Sequence, residues 1–465
     1  MTIGSTWHKL AAFSIPLLIG NIVQQMYSTV DAIVVGHYVG DAALAAVGSS
    51  FTMINLLLIL FMGIATGAGI MVSQYFGAKD RMLLSKTIGS TLTLTVFCSI
   101  LIMIVGALIT RPLLKLLNTP DDVIDMCAEY LIILFTGISG IAFYNLISGI
   151  LRGMGDSLMP LVFLIVTCAL NTVLDLLFVA VFNWGVAGAA WATVIAQLIS
   201  SVLCLLRLTS MKDVFELKLS HLKPNKELCL SLARLGLPAA LTQMIFSLAN
   251  IVVQSLTNLF GTDVIASSTI IMRVDGFAMM PNFTFGMAMA TFVGQNIGAG
   301  KTERAAKSSR PGLIMGIGVS AILVGGILIF GRSLMRVFTE TQTIIDFSYS
   351  MMCILALGYI AMGVTQILSG AMRGAGDTMS PMWVSIISTV IIRTPLAYLL
   401  AFMTRSESYP EGRPEVLFIS LLISWVLGAV ITSVIYSRGK WKSKGLVKAD
   451  PILEAAVFSH VSEEN

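Results

Sequence analysis

The chain has 465 residues, of which 56% are hydrophobic and only 12% charged, and its mean hydropathy is +0.88. Such a chain lacks the polar surface to cover a water-facing globule, and its apolar runs repeatedly reach the ~20 residues that cross a bilayer. The net charge of +4 does not point to nucleic acid, because the basic residues lie in short loops between apolar runs rather than on one face.

The alternating ten-residue pattern of a membrane β-barrel is missing, so the class expected is an all-α polytopic membrane protein. Twelve spans are predicted. The first six cover about 11–36, 43–72, 87–109, 124–150, 158–182 and 186–208. The second six cover about 233–258, 264–297, 312–331, 343–371, 379–403 and 415–437. This divides the chain into an N-terminal six-helix lobe (1–208), a polar cytoplasmic linker (209–232), a C-terminal six-helix lobe (233–437) and a cytoplasmic tail (438–465). The opening apolar run is too long for a cleavable signal, carries an acid and leads into more membrane. The cysteines at 98, 127, 168, 204, 229 and 353 show no CxxC or metal-ligand spacing and are read as reduced packing residues.

Orientation follows from the basic residues. One set of loops and ends, from Lys9 through the 207–234 linker to Lys448, holds 21 of the 29 Lys and Arg residues. By the positive-inside rule that side is cytoplasmic, and both termini belong there.

The two halves repeat. Ser148-Gly-Ile-Leu-Arg-Gly-Met-Gly-Asp-Ser-Leu-Met-Pro160 matches Ser369-Gly-Ala-Met-Arg-Gly-Ala-Gly-Asp-Thr-Met-Ser-Pro381 at seven of thirteen positions. Val72-Ser-Gln-Tyr-Phe-Gly-Ala78 falls on Val293-Gly-Gln-Asn-Ile-Gly-Ala299 at the same offset, and Pro16 and Asp41 fall on Pro238 and Asp263 one residue further. Chance similarity between apolar helices rarely keeps Arg, Gln, Asp and Pro in register. Two duplicated six-helix bundles of like orientation favour a transporter whose path lies between them in a central cleft.

The costliest residue is Asp31, in the first span. A carboxylate within a span costs roughly 2.5–3.5 kcal/mol on insertion scales, which makes it a functional candidate by default. The fifth span adds Asp175, with Asn171 one turn before it on the same face, as Tyr27 is to Asp31. Counting from the outer turns places Asp31, Asp175, Thr193 and Tyr130 at a similar depth. Two acids, an amide, a hydroxyl and phenols at one level could hold a proton as a coupled pair or ligate Na⁺; a static polar network joining helices is the alternative. The second lobe lacks the pair: Asn171 aligns with Arg393, Asp175 with Ala397 and Asp31 with Val253. It carries Arg273, Asp275 and Arg393 instead, with an Arg393–Asp275 pairing as one candidate. Met279, Met280 and Phe283 form a thioether and aromatic stretch that suits flat or cationic ligands, and that equally suits packing. Pro16 and Pro238 are kink candidates.

These motifs resemble the multidrug and toxic compound extrusion (MATE) family, over about residues 8–440. The resemblance rests on the duplicated Leu-Arg-Gly-x-Gly-Asp-type loops, the Gln-x-x-Gly-Ala ends of spans two and eight, and the acid in span one. It implies export of cationic or amphipathic small molecules in exchange for H⁺ or Na⁺. The subgroup with a first-lobe site (DinF-like) implies an ion-coupling site at Tyr27, Asp31, Asn171, Asp175 and Thr193, with Tyr130 and Asn145 on span four as weaker matches. If Na⁺ is the ion, Asp31, Asn171, Asp175 and Thr193 would be its ligands. Asn145, Met279, Met280, Phe283 and Arg393 are the candidate substrate contacts, and Pro16 the candidate hinge. No cofactor is implied. The protein is expected to act as a monomer in the plasma (cytoplasmic) membrane, with no nucleic-acid partner. A flippase or exporter of lipid-linked sugars or related amphiphiles is the alternative. No enzyme is expected, since no HExxH or Gly-x-Ser-x-Gly motif occurs and the His residues (8, 37, 221, 460) lie at ends or in loops.

Overall fold

A computed structural model describes residues 1–116, 121–407 and 409–447. Pro120, in a predicted outer turn, and the tail beyond residue 447 lie outside the described residues. The elements are α1 (Thr6–Tyr38), α2 (Asp41–Gly77), α3 (Arg81–Leu116), α4 (Asp121–Thr136), α5 (Ile138–Gly153), α6 (Leu158–Asp175) and α7 (Gly185–Ser210), then α8 (Lys226–Leu259), α9 (Thr262–Gly298), α10 (Thr302–Lys307), α11 (Ser309–Arg336), α12 (Gln342–Gly374), α13 (Met379–Ser385), α14 (Thr394–Met403) and α15 (Val416–Ser437). Among the described residues the only β feature is an isolated bridge between Ser406 and Tyr409. Inside a bilayer each backbone N–H and C=O must be satisfied within its own segment, which leaves helices as the form these apolar runs can take.

Eleven helical segments are each long and apolar enough to cross a membrane, and the bent pair α4–α5 makes a twelfth. The fourth predicted span is therefore broken rather than continuous, with a bend of 52° at Gly137. A Cβ at Gly137 would run into the side chain of Val194, so the bend sits where α7 presses closest. Two further spans differ from a plain α-helix. Leu176–Val181 continues α6 as a π-helical stretch, and Ile386–Arg393 joins α13 to α14 in the same way. The stretch read as a linker is short: only residues 211–225 lie between α7 and α8, and they include a 3-10 turn at Leu219–Leu222. That turn is held to α3, where Thr93 Oγ1 donates to Leu222 O at 2.6 Å.

The chain forms two compact units. The first holds Ile15–Ala240, and the second holds Met1–Ser14 with the chain from Leu241 onward. The division thus falls inside α1, beside Pro16, and inside α8, just past Pro238. In the first unit α2 packs on α5 and α7 on both α5 and α6; in the second α12 packs on α9, α11 and α15.

The sequence repeat has a structural counterpart at the helix ends. α5 and α12 both stop before a glycine with positive φ, Gly155 (94°) and Gly376 (96°). The following aspartates then accept from the next helix: Asp156 Oδ1 from Met159 N at 3.0 Å, and Asp377 Oδ1 from Ser380 N at 3.2 Å. Glycines also set the helix spacing. A Cβ on Gly149 would lie 3.0 Å from Ala65 O in the first unit, and one on Gly370 would collide with Gly286 O in the second. Gly370→Ala should therefore destabilise the protein by ~1–3 kcal/mol through overpacking. Gly318→Ala, on an exposed helical face with nothing within 4 Å, should gain ~0.5–1 kcal/mol from helix propensity. Thermal unfolding of the two purified variants checks this; a Gly370→Ala protein as stable as the wild type contradicts the close backbone approach.

Candidate functional site

Four helices of the first unit bring polar groups to one place. α1 carries Tyr27 and Asp31, α4 carries Tyr130, α6 carries Thr167, Asn171 and Asp175 at successive turns, and α7 carries Thr193 and Gln197. Asp175 is 0% exposed, Asn171 1% and Asp31 9%, although all three are strongly hydrophilic. The carboxyl groups of Asp31 and Asp175 are neighbours, close enough to interact electrostatically. Tyr130 stands close to both acids and to Tyr27, and the Tyr27 hydroxyl points at Thr193 and Gln197 without closing a hydrogen bond. Asn171 Nδ2 reaches Thr193 Oγ1 at 3.5 Å, and one turn earlier on α6 Thr167 Oγ1 lies 2.6 Å from Ser200 Oγ.

The charge balance of this cluster is one-sided. Both oxygens of Asp175, Oδ1 of Asp31, Oδ1 of Asn171 and Oε1 of Gln197 are buried and accept from no donor. Among the described residues no Lys or Arg forms an ion pair with either acid. A buried acceptor left without a donor costs about 1–3 kcal/mol, and more when it is charged. Hard oxygen acceptors facing one another are satisfied by a cation. A proton turns one carboxyl into a donor for the other, and Na⁺ would take the same oxygens as ligands.

Asp175 also occupies a special place in the backbone, as the last residue of α6 before the π-helical stretch. Phe182 N bonds Leu177 O at 2.9 Å, five residues back, so the turn holds one residue more than an α-helix would. Such widened turns recur at functional sites. α7 comes close to this stretch through Gly188, where a Cβ would lie 3.1 Å from the carbonyl carbon of Phe178.

The other expected residues are elsewhere. Asn145 is half-buried on α5 and spends its amide on Ile141 O at 2.8 Å, within its own helix. Met279, Met280, Phe283 and Arg393 belong to the second unit. There Phe283 is 46% exposed, while Met279 packs against the core around Tyr359 and Leu355. The candidate Arg393–Asp275 ion pair does not form. Tyr359 donates to Asp275 instead, and Arg393 Nη1 donates to Asn250 Oδ1 at 2.9 Å. Arg273 is exposed and edges an otherwise apolar cavity of ≈170 Å³ between α9 and α11.

Sequence reasoning overlooked Gln197 and Tyr359. Gln197 follows Thr193 by one helical turn, the spacing that joins Tyr27 to Asp31, so its signal was present. Tyr359 sits in an apolar stretch with no polar neighbour at helical spacing, and only the fold brings it to Asp275.

The MatE family pattern matches residues 16–177 and again 238–399, so each copy starts at a proline of the pair Pro16 and Pro238. The chain belongs to the MatE family. It is 30% identical to the probable multidrug resistance protein YoeA of Bacillus subtilis, over 96% of each chain. It is 23% identical to the probable multidrug resistance protein NorM of Thermotoga maritima, over 96% of this chain and 95% of that one. It is also 21% identical to the multidrug export protein MepA of Staphylococcus aureus, over 83% of this chain and 86% of that one. Among solved structures, a multidrug resistance MATE transporter of the MOP superfamily in an outward-facing conformation superposes with a TM-score of 0.87, at 23% identity, over 94% of this chain and 96% of that chain. A MOP-superfamily transporter from Pyrococcus furiosus fits equally well, with a TM-score of 0.87. The twelve-span helical fold is thus shared, and the protein is a multi-pass membrane protein.

If the Asp31–Asp175 contact serves an ion rather than the fold, neutralising one acid removes repulsion. Asp175→Asn should then unfold at or above the wild-type temperature. Loss of a stabilising buried partner would instead cost ~3–5 kcal/mol, and a drop of that size in thermal unfolding marks the contact as structural.

Proposed function

We propose that this protein exports cationic and amphipathic small molecules from the cytoplasm by antiport against H⁺ or Na⁺, with Asp31 and Asp175 as the cation-holding pair. The observation that carries this reading is the set of five buried acceptor oxygens around the two carboxyl groups, with no donor and no basic partner. Tyr27, Tyr130, Asn171 and Thr193 complete the site, and Gln197 joins it. The names of the relatives, multidrug resistance and export proteins from several bacteria, support the substrate class. The distribution of Lys and Arg supports cytoplasmic termini.

Ion binding must favour one conformation over another if it is to drive export, and the substrate then shifts the ion's affinity by the same factor. α1 is the element suited to this role. It carries Tyr27 and Asp31, and it passes from one unit to the other beside Pro16. Pro16 removes a backbone hydrogen bond there, which makes it the hinge of this proposal. Neutralising Asp31 deletes the charge that senses the ion while sparing the packing of α1.

Uptake of a fluorescent organic cation into inside-out proteoliposomes, with Na⁺ and pH gradients imposed one at a time, tests the reading. The wild type should respond to one of the gradients. Asp31→Asn should insert normally and lose gradient-driven uptake by at least tenfold. Uptake by Asp31→Asn at the wild-type rate rules out the carboxyl pair as the coupling site.

A further inference from the structure

The second unit holds a cation where the first holds a carboxylate ladder. Arg393 takes the position that Asn171 has in the first half, at the last residue of the second π-helical stretch. One of its terminal nitrogens donates to Asn250, which is itself exposed. Its Nε is buried and has no acceptor. Among the described residues no carboxylate forms an ion pair with it: Asp275 stays within electrostatic reach but accepts from Tyr359. The guanidinium therefore keeps part of its donor fork free in a low-dielectric setting, with one edge anchored by an amide. Near it in the chain Val390 and Ile391 are apolar and exposed, as are Ile251 and Val252 next to Asn250.

An unpaired guanidinium is made for a planar anion, because its fork matches two carboxylate oxygens. Its depth narrows the choice. Arg393 lies ten residues before the outer end of α14 at Met403, about 15 Å along the helix. That is close to the middle of a ~30 Å hydrocarbon core, out of reach of phospholipid phosphates at the surface. The group it meets must belong to a molecule that enters the protein.

We propose that Arg393 and Asn250 form an anion-binding subsite, and that the protein's substrates include zwitterionic amphiphiles whose carboxylate docks there while their cationic part stays near Asp275. This rests on the export reading for its physiological sense, but it can be read by binding alone. The probe is a rhodamine dye in two forms, the zwitterionic free acid and its cationic ethyl ester. Each is titrated against the full-length protein in phosphatidylcholine nanodiscs, with no gradient, by fluorescence polarisation.

Arg393→Gln should weaken the acid about tenfold, the worth of one charge-assisted hydrogen bond, and leave the ester within about twofold. Arg393→Lys keeps the charge without the fork and should lose an intermediate amount, which also guards against a fold that fails in the glutamine variant. Equal effects on acid and ester, or no binding of the acid to the wild type, overturn the subsite. Failure of the wild type to move the ester under either gradient counts against export, and this binding comparison still decides Arg393.

Discussion

The first unit depends on one electrostatic problem: two carboxyl groups meet inside an apolar bundle without a basic partner. Two unit charges 4 Å apart repel by ~4 kcal/mol at an effective dielectric constant near 20. Among the described residues no Lys or Arg pairs with either acid to offset that cost, and on the proposed reading a bound cation offsets it. The surrounding structure follows from this. Asn171, Thr193 and Gln197 supply further oxygens beside the pair, and α7 approaches the widened turn after Asp175 through Gly188.

The duplication separates what the membrane demands from what the activity demands. Helix ends are conserved between the halves in detail: positive-φ glycines at 155 and 376, aspartates that bond the start of the next helix, and glycines at 149 and 370 that let backbones touch. These features satisfy backbone groups and set spacing, and lipid imposes them on both halves alike. The side chains inside each bundle are under no such common rule. Asn171 answers to Arg393, Asp175 to Ala397 and Asp31 to Val253, so equivalent positions of one scaffold carry groups of opposite polarity.

Much of this was legible before any coordinates. Composition fixed the class, the Arg-Gly-x-Gly-Asp repeats exposed the two halves, and the i,i+4 spacings of Tyr27/Asp31 and Asn171/Asp175 picked out residues that the fold brings together. What stayed hidden has a physical reason in each case. The π-helical stretches at 176–181 and 386–393 consist of ordinary apolar residues, and an extra residue per turn leaves no mark on hydropathy. The bend at Gly137 depends on contact with Val194, 57 positions away in the chain. The partner of Asp275 could not be read from charge, because a phenol, Tyr359, takes the place for which Arg393 was the candidate.

The division of the chain inside α1 and α8 gives the polarity difference a consequence. If ion and substrate shared the same oxygens, exchange would need only competition. On the proposed reading the carboxylate pair of one unit holds the cation and the guanidinium of the other holds a substrate carboxylate, so the two have separate attachments. Coupling must then travel through an element belonging to both units. α1 meets that requirement: its first turns belong to the second unit, its polar turn at Tyr27 and Asp31 to the first, and Pro16 marks the change. α8 repeats the arrangement in reverse, with Pro238 at the change and Asn250, the anchor of Arg393, beyond it. On the proposed reading each shared helix reports the occupancy of one site to the other unit, and the two prolines lie where that report requires the backbone to give.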